Sequence, residues 1–331
     1  MTSVSVMGGG AWGTALAMVA QRAGSQTTLW VKDNDLAHTM RQQRVNVKHL
    51  ADVLIDPSIQ ITANLQEASH ANIMVIAVPA QTLREVLEKF KPYLKPDTYI
   101  ILASKGIEAE SGLLMSEVAS EIIPGHVLAI LSGPNFADEV ARNLPSATTL
   151  ATEDETIGTW LAHSFSSLNF RVYTSQDLIG AQVAGALKNV LAIAAGILEG
   201  RTLGANARAA LITRGLAEIT RLVVAKGGKP ETMLGLTGVG DLCLTCSSEK
   251  SRNMQFGKSL GLGASLEEVC SNSSKIVEGM PTTQSLMLLA QELRVEMPIC
   301  KAVHGILYQG LDIDIAISQL LNRPLKPEFR S

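Results

Sequence analysis

The sequence predicts an α/β N-terminal region built on a parallel sheet, followed by a region made almost entirely of helices. Over the first 175 residues, short apolar runs rich in β-branched residues alternate with helical patterns. This alternation is typical of a parallel sheet with helices on both faces. After about Asp177 the strand patterns end and long helical patterns follow. We therefore expect two domains, residues 1–177 and 178–331, since domains usually run to roughly 100–200 residues.

The predicted strands are short apolar runs flanked by Gly, Pro and Asn. In chain order they are Val4–Met7, Thr27–Val31, Ile59–Thr62, Ile73–Val78, Tyr99–Ala103, Val127–Leu131, Ala147–Ala151 and Phe170–Thr174. The helices predicted between them are Trp12–Ala23, Asp35–Arg44, Gln81–Phe90, Ser111–Glu121 and Glu153–Ser164. The helices predicted in the second region are Ala181–Leu198, Ala207–Lys226, Thr283–Leu293 and Pro298–Leu307.

Composition excludes several classes of function. The net charge of −3 argues against general electrostatic binding to nucleic acid. The four cysteines have no disulfide-framework spacing, so we expect free thiols and a location in the reducing cytoplasm. The six histidines form no metal-ligand pattern, so we expect no metal site. The longest apolar stretch, Leu178–Leu198, contains Lys188 near its middle. A membrane span rarely carries a lysine there, and no integral membrane segment is expected.

Gly8, Gly10 and Gly13 form a G-x-G-x-x-G motif between the first predicted strand and the first predicted helix. In such a motif the first glycine permits a tight turn, the second leaves room for a pyrophosphate, and the third lets the helix pack on the strand. The helix N-terminus then offers free N–H groups to the anion. We interpret the motif as a dinucleotide site, with a ligand-free tight turn as the alternative. The position of Gly9 is not expected to require glycine.

Lys32 and Asp33 follow the second predicted strand, about 20 residues after the glycines. An acidic residue at this distance usually binds the adenosine ribose hydroxyls of NAD, whereas a lysine beside it suits the 2′-phosphate of NADP. The pair leaves both cofactors open. The alternative is that both side chains are solvated loop charges.

Lys188 is surrounded in sequence by small and apolar residues, in AQVAGALKNVLAIAAGILEG. Burial disfavours the charged form of a lysine and lowers its pKa towards neutrality, which suits a general acid–base. The alternative is a lysine at a helix edge whose stem covers apolar surface while its charge reaches water.

Polar residues also follow two of the predicted strands, and others lie in the second region. Lys105 and the segment 132–135 come directly after predicted strands, at the end of the sheet where open α/β folds bind ligands. The alternative is that both segments are ordinary loops that bind no ligand. Asp241, in GVGD, has the chemistry to orient and stabilise a catalytic lysine, and Arg252, in SRN, has a guanidinium that matches a phosphate. The alternative for Arg252 is a surface charge.

Taken in order, these blocks resemble a known family. GGGAWGTALA, VPAQ (78–81), SKGIE (104–108), SGPNFA (132–137), GALKN (185–189), GLTGVGDLCLTC (235–246), SRNMQFG (251–257) and VEGMPTT (277–283) resemble bacterial NAD(P)-dependent glycerol-3-phosphate dehydrogenases. The resemblance covers almost the whole chain. It implies a Rossmann-type N-terminal domain and an all-helical C-terminal domain like that of 6-phosphogluconate dehydrogenases. It also implies NAD(P)H-linked interconversion of dihydroxyacetone phosphate, a phosphorylated three-carbon substrate, and sn-glycerol 3-phosphate, which supplies phospholipid synthesis.

The resemblance also assigns roles to residues. Lys188 is similar to the family's acid–base and Lys105 to its second lysine, with Asp241 and Thr245 as the polar groups around Lys188. The substrate positions implied are Lys105, Gly133, Asn135, Lys188, Asn189, Asp241, Ser251, Arg252 and Asn253. The cofactor positions implied are Gly8, Gly10, Ala11, Trp12, Gly13, Lys32, Lys105, Ala137, Arg252, Ile276 and Glu278.

Several features depart from the family pattern or leave alternatives. Ala11 and Asn135 stand where the family commonly has serine, and Met254-Gln255 stands where it often has basic residues. Two other functions share the fold: a related β-hydroxyacid dehydrogenase, against which Arg252 argues, and a non-catalytic NAD(P) sensor, against which the two lysines and Asp241 argue. The apolar C-terminal helices suggest a homodimer as a hypothesis.

Overall fold

The computed structural model describes residues 2–272, 277–325 and 327–328. The strands are β1 (Ser3–Met7), β2 (Gln26–Trp30), β3 (Val45–Asn46), β4 (Leu50–Leu54), β5 (Gln60–Thr62), β6 (Ile73–Ile76), β7 (Tyr99–Leu102), β8 (Leu128–Ser132), β9 (Ser146–Ala151) and β10 (Phe170–Ser175). The helices before residue 177 are α1 (Ala11–Arg22), α2 (Asn34–Gln43), α3 (Leu65–Ala68), α4 (Leu83–Phe90), α5 (Met115–Ile122), α6 (Ala137–Ala141) and α7 (Glu155–His163). The later helices are α8 (Leu178–Gly200), α9 (Gly204–Ala225), α10 (Asp241–Ser247), α11 (Arg252–Gly261), α12 (Leu266–Asn272), α13 (Gly279–Glu292), α14 (Pro298–Tyr308) and α15 (Ile313–Leu321).

Eight strands form one sheet in the order β10-β9-β8-β7-β6-β1-β2-β5. The first strand is central: Val4 pairs with Thr27 on one side and with Ile73 on the other, both in parallel. Each of the eight predicted strands is present in this sheet, so the α/β fold class and the helical region that follows it are confirmed. Interior strands such as β6 and β7 are buried on both faces, and such strands form continuous apolar runs in the sequence.

The expectation of an entirely parallel sheet is wrong at one strand. β9 pairs antiparallel with β8, in the register Leu131 to Leu150, and parallel with β10. A parallel crossover must carry the chain back along the strand, about 16 Å for five residues. The only helix in the 133–145 connection, α6, has five residues and spans about 7.5 Å. The chain therefore begins β9 at the same end of the sheet at which β8 finishes, and β9 runs antiparallel to β8.

The sheet separates two apolar layers. Leu16, Val140 and Leu161 belong to one layer, while Leu87 and Val118 belong to the other. Helices α1, α6 and α7 thus cover one face, and α4 and α5 cover the opposite face, as the strand–helix alternation predicts.

The helical region packs around α8. Among the described helices, α8 is long and apolar enough to cross a membrane by length and composition alone, but 89% of its most apolar window is buried inside the molecule. Its neighbours α9, α10, α11, α13 and α14 contribute to the same apolar cluster. It is therefore the core helix of this region.

Glycines bring α8 and α11 into backbone contact. A Cβ atom added to Gly196 of α8 would lie 2.0 Å from the Met254 carbonyl oxygen, and one added to Gly257 of α11 would lie 2.0 Å from the Ile193 carbonyl oxygen. Only glycine permits helices to approach so closely. Because α8 carries Lys188 and α11 begins at Arg252, this packing fixes the spacing between these two candidate site residues.

Gly196→Ala tests that contact through stability. Alanine normally favours a helix over glycine by roughly 0.5–1 kcal/mol, so an unconstrained site would be stabilised. Here the added methyl group would push α11 away, and we expect the free energy of unfolding to fall by about 1–3 kcal/mol. Urea titration followed by circular dichroism measures it. An increase in stability would contradict the close packing.

Candidate active site

The first half of the site lies at the carboxyl end of the sheet. The glycine motif follows β1, the segment 77–79 follows β6, the segment 103–106 follows β7, and the segment 133–135 follows β8. These four strands are neighbours in the order β8-β7-β6-β1. The loops therefore line one continuous cleft, at the position where open α/β sheets bind ligands.

The glycine loop has the backbone that the motif predicts. Gly8 has φ +132°, and a Cβ added there would lie 2.5 Å from the Ala77 carbonyl oxygen, while one added to Gly13 would lie 1.9 Å from the Gly8 carbonyl oxygen. A Cβ added to Gly10 would meet no atom within 4 Å, so this position faces open space. The expectation for Gly9 is wrong, because a Cβ there would lie 2.7 Å from Cγ1 of Val31.

The start of α1 suits an anion. Among the described residues, no side chain caps this N-terminus at Gly10, so its backbone N–H groups are available to a ligand. Ala11 and Trp12 form its first turn, and the buried indole N–H of Trp12 has no hydrogen-bond partner within the described chain. Buried donors are normally paired. The uncapped helix, the space at Gly10 and this unpaired donor fit a bound dinucleotide.

Asn46 supports the glycine loop and was not identified from the sequence. This fully buried side chain donates hydrogen bonds to the Gly9 carbonyl oxygen at 2.9 Å and to Thr14 Oγ1 at 2.8 Å. It lies in the antiparallel hairpin β3–β4, which the sequence pattern does not predict. A lone asparagine in a polar stretch carries no pattern by which it could have been found.

The other expected cofactor positions have different surroundings. The Lys32 side chain is 70% exposed, with its Nζ 3.6 Å from Glu85 Oε1. The carboxylate of Asp33 caps α2 by accepting hydrogen bonds from the backbone N–H groups of Asp35 and Leu36. Ala137 is the first residue of α6. Ile276 lies outside the described residues.

Three distant residues form a buried charged cluster. Asp241 is fully buried, and its two oxygens accept hydrogen bonds from two lysines. Oδ1 accepts from Lys188 Nζ, and Oδ2 accepts from Lys105 Nζ at 2.7 Å. Thr245 Oγ1 lies 3.3 Å from Oδ1. The structure thus brings together all four residues that the resemblance assigned to catalysis, and the helix-edge alternative for Lys188 does not hold, since Lys188 is only 8% exposed.

The environment of Lys188 adjusts its acidity. Burial is the largest effect and lowers the pKa, the Asp241 carboxylate raises it, and the Lys105 charge lowers it again, so that the pKa of Lys188 falls to about 8. A group with a pKa near the working pH both donates and accepts protons readily. The arrangement therefore suits a general acid–base.

Asp241 owes its position to an irregular turn. Residues Leu236–Gly240 form one π-helical turn before α10, and Gly238 departs from helical geometry with ψ −105°. A Cβ on Gly238 would lie 2.3 Å from the Met233 carbonyl oxygen, so only glycine fits. Single π-turns are frequent at functional sites, and this one directs the first residue of α10 towards the two lysines.

Lys105 is held by the loop around it. The Gln81 side-chain amide donates to the Ile107 carbonyl oxygen and accepts from the Ala109 N–H, both at 2.8 Å. The Glu108 carboxylate accepts two hydrogen bonds from Arg84 at 2.9 Å. These contacts join VPAQ to SKGIE, two motifs that follow the neighbouring strands β6 and β7, and that adjacency was the signal by which Gln81 and Glu108 could have been found.

The start of α11 lies against α8 next to Lys188. Ser251 caps α11 by accepting from the Met254 N–H at 3.2 Å. Asn253 donates to Asn189 Oδ1 at 3.0 Å and accepts from the Gly279 N–H at 2.9 Å. Arg252 itself is exposed, so its guanidinium is accessible to a ligand, and the alternative of a surface charge stays open.

The loop after β8 completes the cleft. The Gly133 carbonyl oxygen accepts a hydrogen bond from Lys105 Nζ at 3.2 Å. Asn135 donates to the Ala147 carbonyl oxygen at 3.0 Å, while its buried Oδ1 has no partner among the described residues. An unpaired buried acceptor indicates a ligand that donates a hydrogen bond.

Glu278 links the helical region to the cleft. Its Oε1 accepts from the Ala80 N–H at 3.4 Å, and its buried Oε2 has no partner among the described residues. Burial raises the pKa of Glu278 to about 7, against the opposing effects of the Ala80 hydrogen bond and the Arg252 charge. The unpaired oxygen again indicates a polar ligand in the cleft.

The described residues contain no group of three or more metal-ligating side chains. All four cysteines are free, and burial raises the pKa of Cys246, which makes its thiol unreactive.

Comparison with known proteins identifies the family. The models of the NAD-dependent glycerol-3-phosphate dehydrogenase N-terminus and C-terminus match residues 3–158 and 177–318. A glycerol-3-phosphate dehydrogenase [NAD(P)+] of Caulobacter vibrioides is 48% identical over 98% of both chains, and that of Parvibaculum lavamentivorans is 46% identical over 98% of both. The crystal structure of glycerol-3-phosphate dehydrogenase from Coxiella burnetii superposes with a TM-score of 0.93 at 38% identity, over 97% of this chain and 99% of that one. The chain therefore belongs to the NAD-dependent glycerol-3-phosphate dehydrogenase family.

Proposed function

We propose that this protein interconverts dihydroxyacetone phosphate and sn-glycerol 3-phosphate with NAD(P)H. The observation that carries the proposal is the buried cluster of Lys188, Asp241 and Lys105, beside the helix that begins at Arg252. Its close relatives bear the name of the same activity. The cluster supplies a proton, and the arginine suits a phosphate.

The dinucleotide is NAD or NADP, and the glycine loop would hold its pyrophosphate at the start of α1. When bound, it supplies the hydride. Trp12, Glu278 and Lys105 would contact it in the cleft, with Arg252 and Ala137 at its border. Lys32, exposed beside Asp33, lies where NAD and NADP differ.

In the direction of reduction, Lys188 donates a proton to the ketone oxygen. Asp241 keeps Lys188 protonated and oriented, and Thr245 supports that carboxylate. Lys105 lies on the opposite oxygen of Asp241, where it can polarise the same ketone. In the reverse direction neutral Lys188 accepts the hydroxyl proton.

The substrate phosphate binds at the start of α11. We propose that Arg252 forms the charged contact, while Ser251, Asn253 and Asn189 shape the pocket through the hydrogen bonds described above. Gly133 and Asn135 contact the substrate from the opposite loop, where Asn135 Oδ1 would accept from a substrate hydroxyl.

The decisive experiment is the loss of NADH absorbance by the purified protein when dihydroxyacetone phosphate is added, repeated with NADPH. Turnover with either cofactor supports the proposal, and the ratio of the two kcat/KM values gives the preference. No oxidation of NADH or NADPH would overturn it. Unphosphorylated dihydroxyacetone is the comparison compound, since it carries the same ketone without the phosphate.

Arg252→Leu tests the phosphate contact. Hydrogen bonds to charged groups contribute about 1.5–3 kcal/mol, so we expect the KM for dihydroxyacetone phosphate to rise by roughly 10- to 100-fold, with kcat changing only a few-fold. Arg214→Leu, which removes an exposed arginine of α9, is the matched control. An unchanged KM in the Arg252 variant would contradict the assignment.

We further propose two domains that meet near residue 177, a homodimer, a cytoplasmic location and a role in supplying phospholipid synthesis. Large apolar side chains exposed on the helical region support the dimer, among them Leu262 at 69% and Leu321 at 80%. A monomeric mass in light scattering would exclude it.

A further inference from the structure

Lys250 forms an ion-pair group that joins two segments far apart in the chain. Its Nζ lies 2.9 Å from Asp138 Oδ2 and 2.6 Å from Glu139 Oε1, and 5.8 Å from the centre of the Phe136 ring. We call these four residues the Lys250 bridge. The two carboxylates raise the pKa of Lys250, so the lysine stays charged.

One end of the bridge controls the start of α11. Lys250 stands two residues before Arg252 in a tight turn, closed by a hydrogen bond from the Ser251 N–H to the Ser248 carbonyl oxygen at 3.0 Å. The Lys250 N–H also donates to Ser248 Oγ at 3.2 Å. Fixing Lys250 therefore fixes the turn from which α11 presents Arg252.

The other end is anchored to the sheet region. Asp138 and Glu139 lie in α6, which follows the loop of Gly133 and Asn135. The Arg22 guanidinium, at the end of α1, donates to the Val140 carbonyl oxygen at 2.9 Å and so docks α6 on the helix that begins in the glycine loop. The bridge thus ties both sides of the cleft at the substrate end.

We propose that the Lys250 bridge is a positioning device that sets the affinity for the phosphorylated substrate by holding Arg252 opposite the Gly133–Asn135 loop. The inference rests on the proposed function. Neither Lys250 nor the two carboxylates touch the reacting atoms in this role. The bridge acts on binding of the phosphate, and proton transfer at Lys188 does not depend on it.

Three variants test the bridge: Lys250→Met, the double variant Asp138→Asn with Glu139→Gln, and Lys250→Arg. Partly exposed ion pairs contribute modestly, so we expect the first two to raise the KM for dihydroxyacetone phosphate by about three- to tenfold each, with kcat within about twofold of wild type. Lys250→Arg, which keeps the charge, restores a KM near that of the wild type. Lys258→Met is the control, since it removes an ion pair within the same segment, to Glu249 at 2.9 Å, and leaves KM unchanged.

The double variant separates positioning from direct phosphate binding by Lys250. If Lys250 were itself a phosphate ligand, freeing it from both carboxylates would lower KM while Lys250→Met raised it, and the proposal would be overturned. Amide hydrogen exchange at residues 252–257 provides a readout independent of turnover, and we expect faster exchange in both bridge variants than in the wild type. Unchanged exchange in both variants would overturn the positioning role of the bridge, whether or not the protein is active. A wild-type protein inactive on dihydroxyacetone phosphate would instead refute the proposed function.

Discussion

Lys188→Met is expected to lower kcat for the reduction of dihydroxyacetone phosphate by about 10²- to 10⁴-fold, the range that general acid catalysis contributes. Methionine has a similar length and suits apolar surroundings, so the fold should remain, while the proton donor is lost. Because Lys188 is proposed to act on the reacting oxygen and Arg252 on the phosphate, KM should change far less than kcat. Steady-state kinetics measure both quantities.

A control variant and a rescue experiment separate the loss of the proton donor from other effects of the substitution. Lys226→Met removes another lysine of the helical region, paired with Glu117 at 2.8 Å, and should leave kcat unchanged. Small primary amines added to a Lys188→Ala protein, whose shorter side chain leaves space beside Asp241, should restore part of the turnover by supplying a donor. A Lys188→Met protein that melts like the wild type and keeps full turnover would refute the acid–base role.

The sheet region could be predicted from the sequence because its signals are local. Strands such as Ile73–Ile76 and Tyr99–Leu102 are apolar on both faces and are bounded by turn residues, so composition alone marks them. The glycine motif was also readable, since Gly8 and Gly13 meet their steric constraints within one strand–turn–helix unit.

The parts that were missed depend on tertiary contacts. Helix α11 contains Gly257 and Gly261, which lower its helix propensity and concealed it in the sequence. The same glycines are required by the approach of α8, with a Gly261 Cβ falling 2.5 Å from the Ile197 carbonyl oxygen. The reversed strand β9 was missed for a similar reason, because the length of α6 rather than the strand pattern decides its direction.

The site shows the same division. Lys105, Lys188 and Asp241 were each named from the sequence, through the resemblance or through apolar surroundings, yet their meeting at one carboxylate is a result of folding. The supporting contacts of Asn46 and Lys250 have no sequence pattern of their own. The residues proposed to perform chemistry were thus more predictable than the residues that hold them in place.

Asp241→Asn is expected to move the pH dependence of ketone reduction to lower pH. In the wild type Lys188 must be protonated to act as the acid, so kcat/KM for dihydroxyacetone phosphate should fall as the pH rises through about 8, the pKa of Lys188. Oxidation of glycerol 3-phosphate needs neutral Lys188, and its kcat/KM should rise through the same pH. The asparagine removes the charge that raises this pKa and leaves burial and Lys105, which both lower it.

The size of that shift decides between electrostatic and structural roles for Asp241. A nearby opposite charge typically shifts a pKa by about one to three units, so kcat/KM at pH 8 should fall by roughly five- to 500-fold and recover substantially as the pH is lowered. Such recovery is impossible for Lys188→Met, which has no proton to regain, and is not expected of a misfolded protein. Asp154→Asn, which removes the charge of the side chain that caps α7 and keeps an oxygen able to cap it, should keep the midpoint of the pH profile near the wild-type value. If the Asp241 variant instead lost activity equally at every pH, the carboxylate would be positioning Lys188 without controlling its charge.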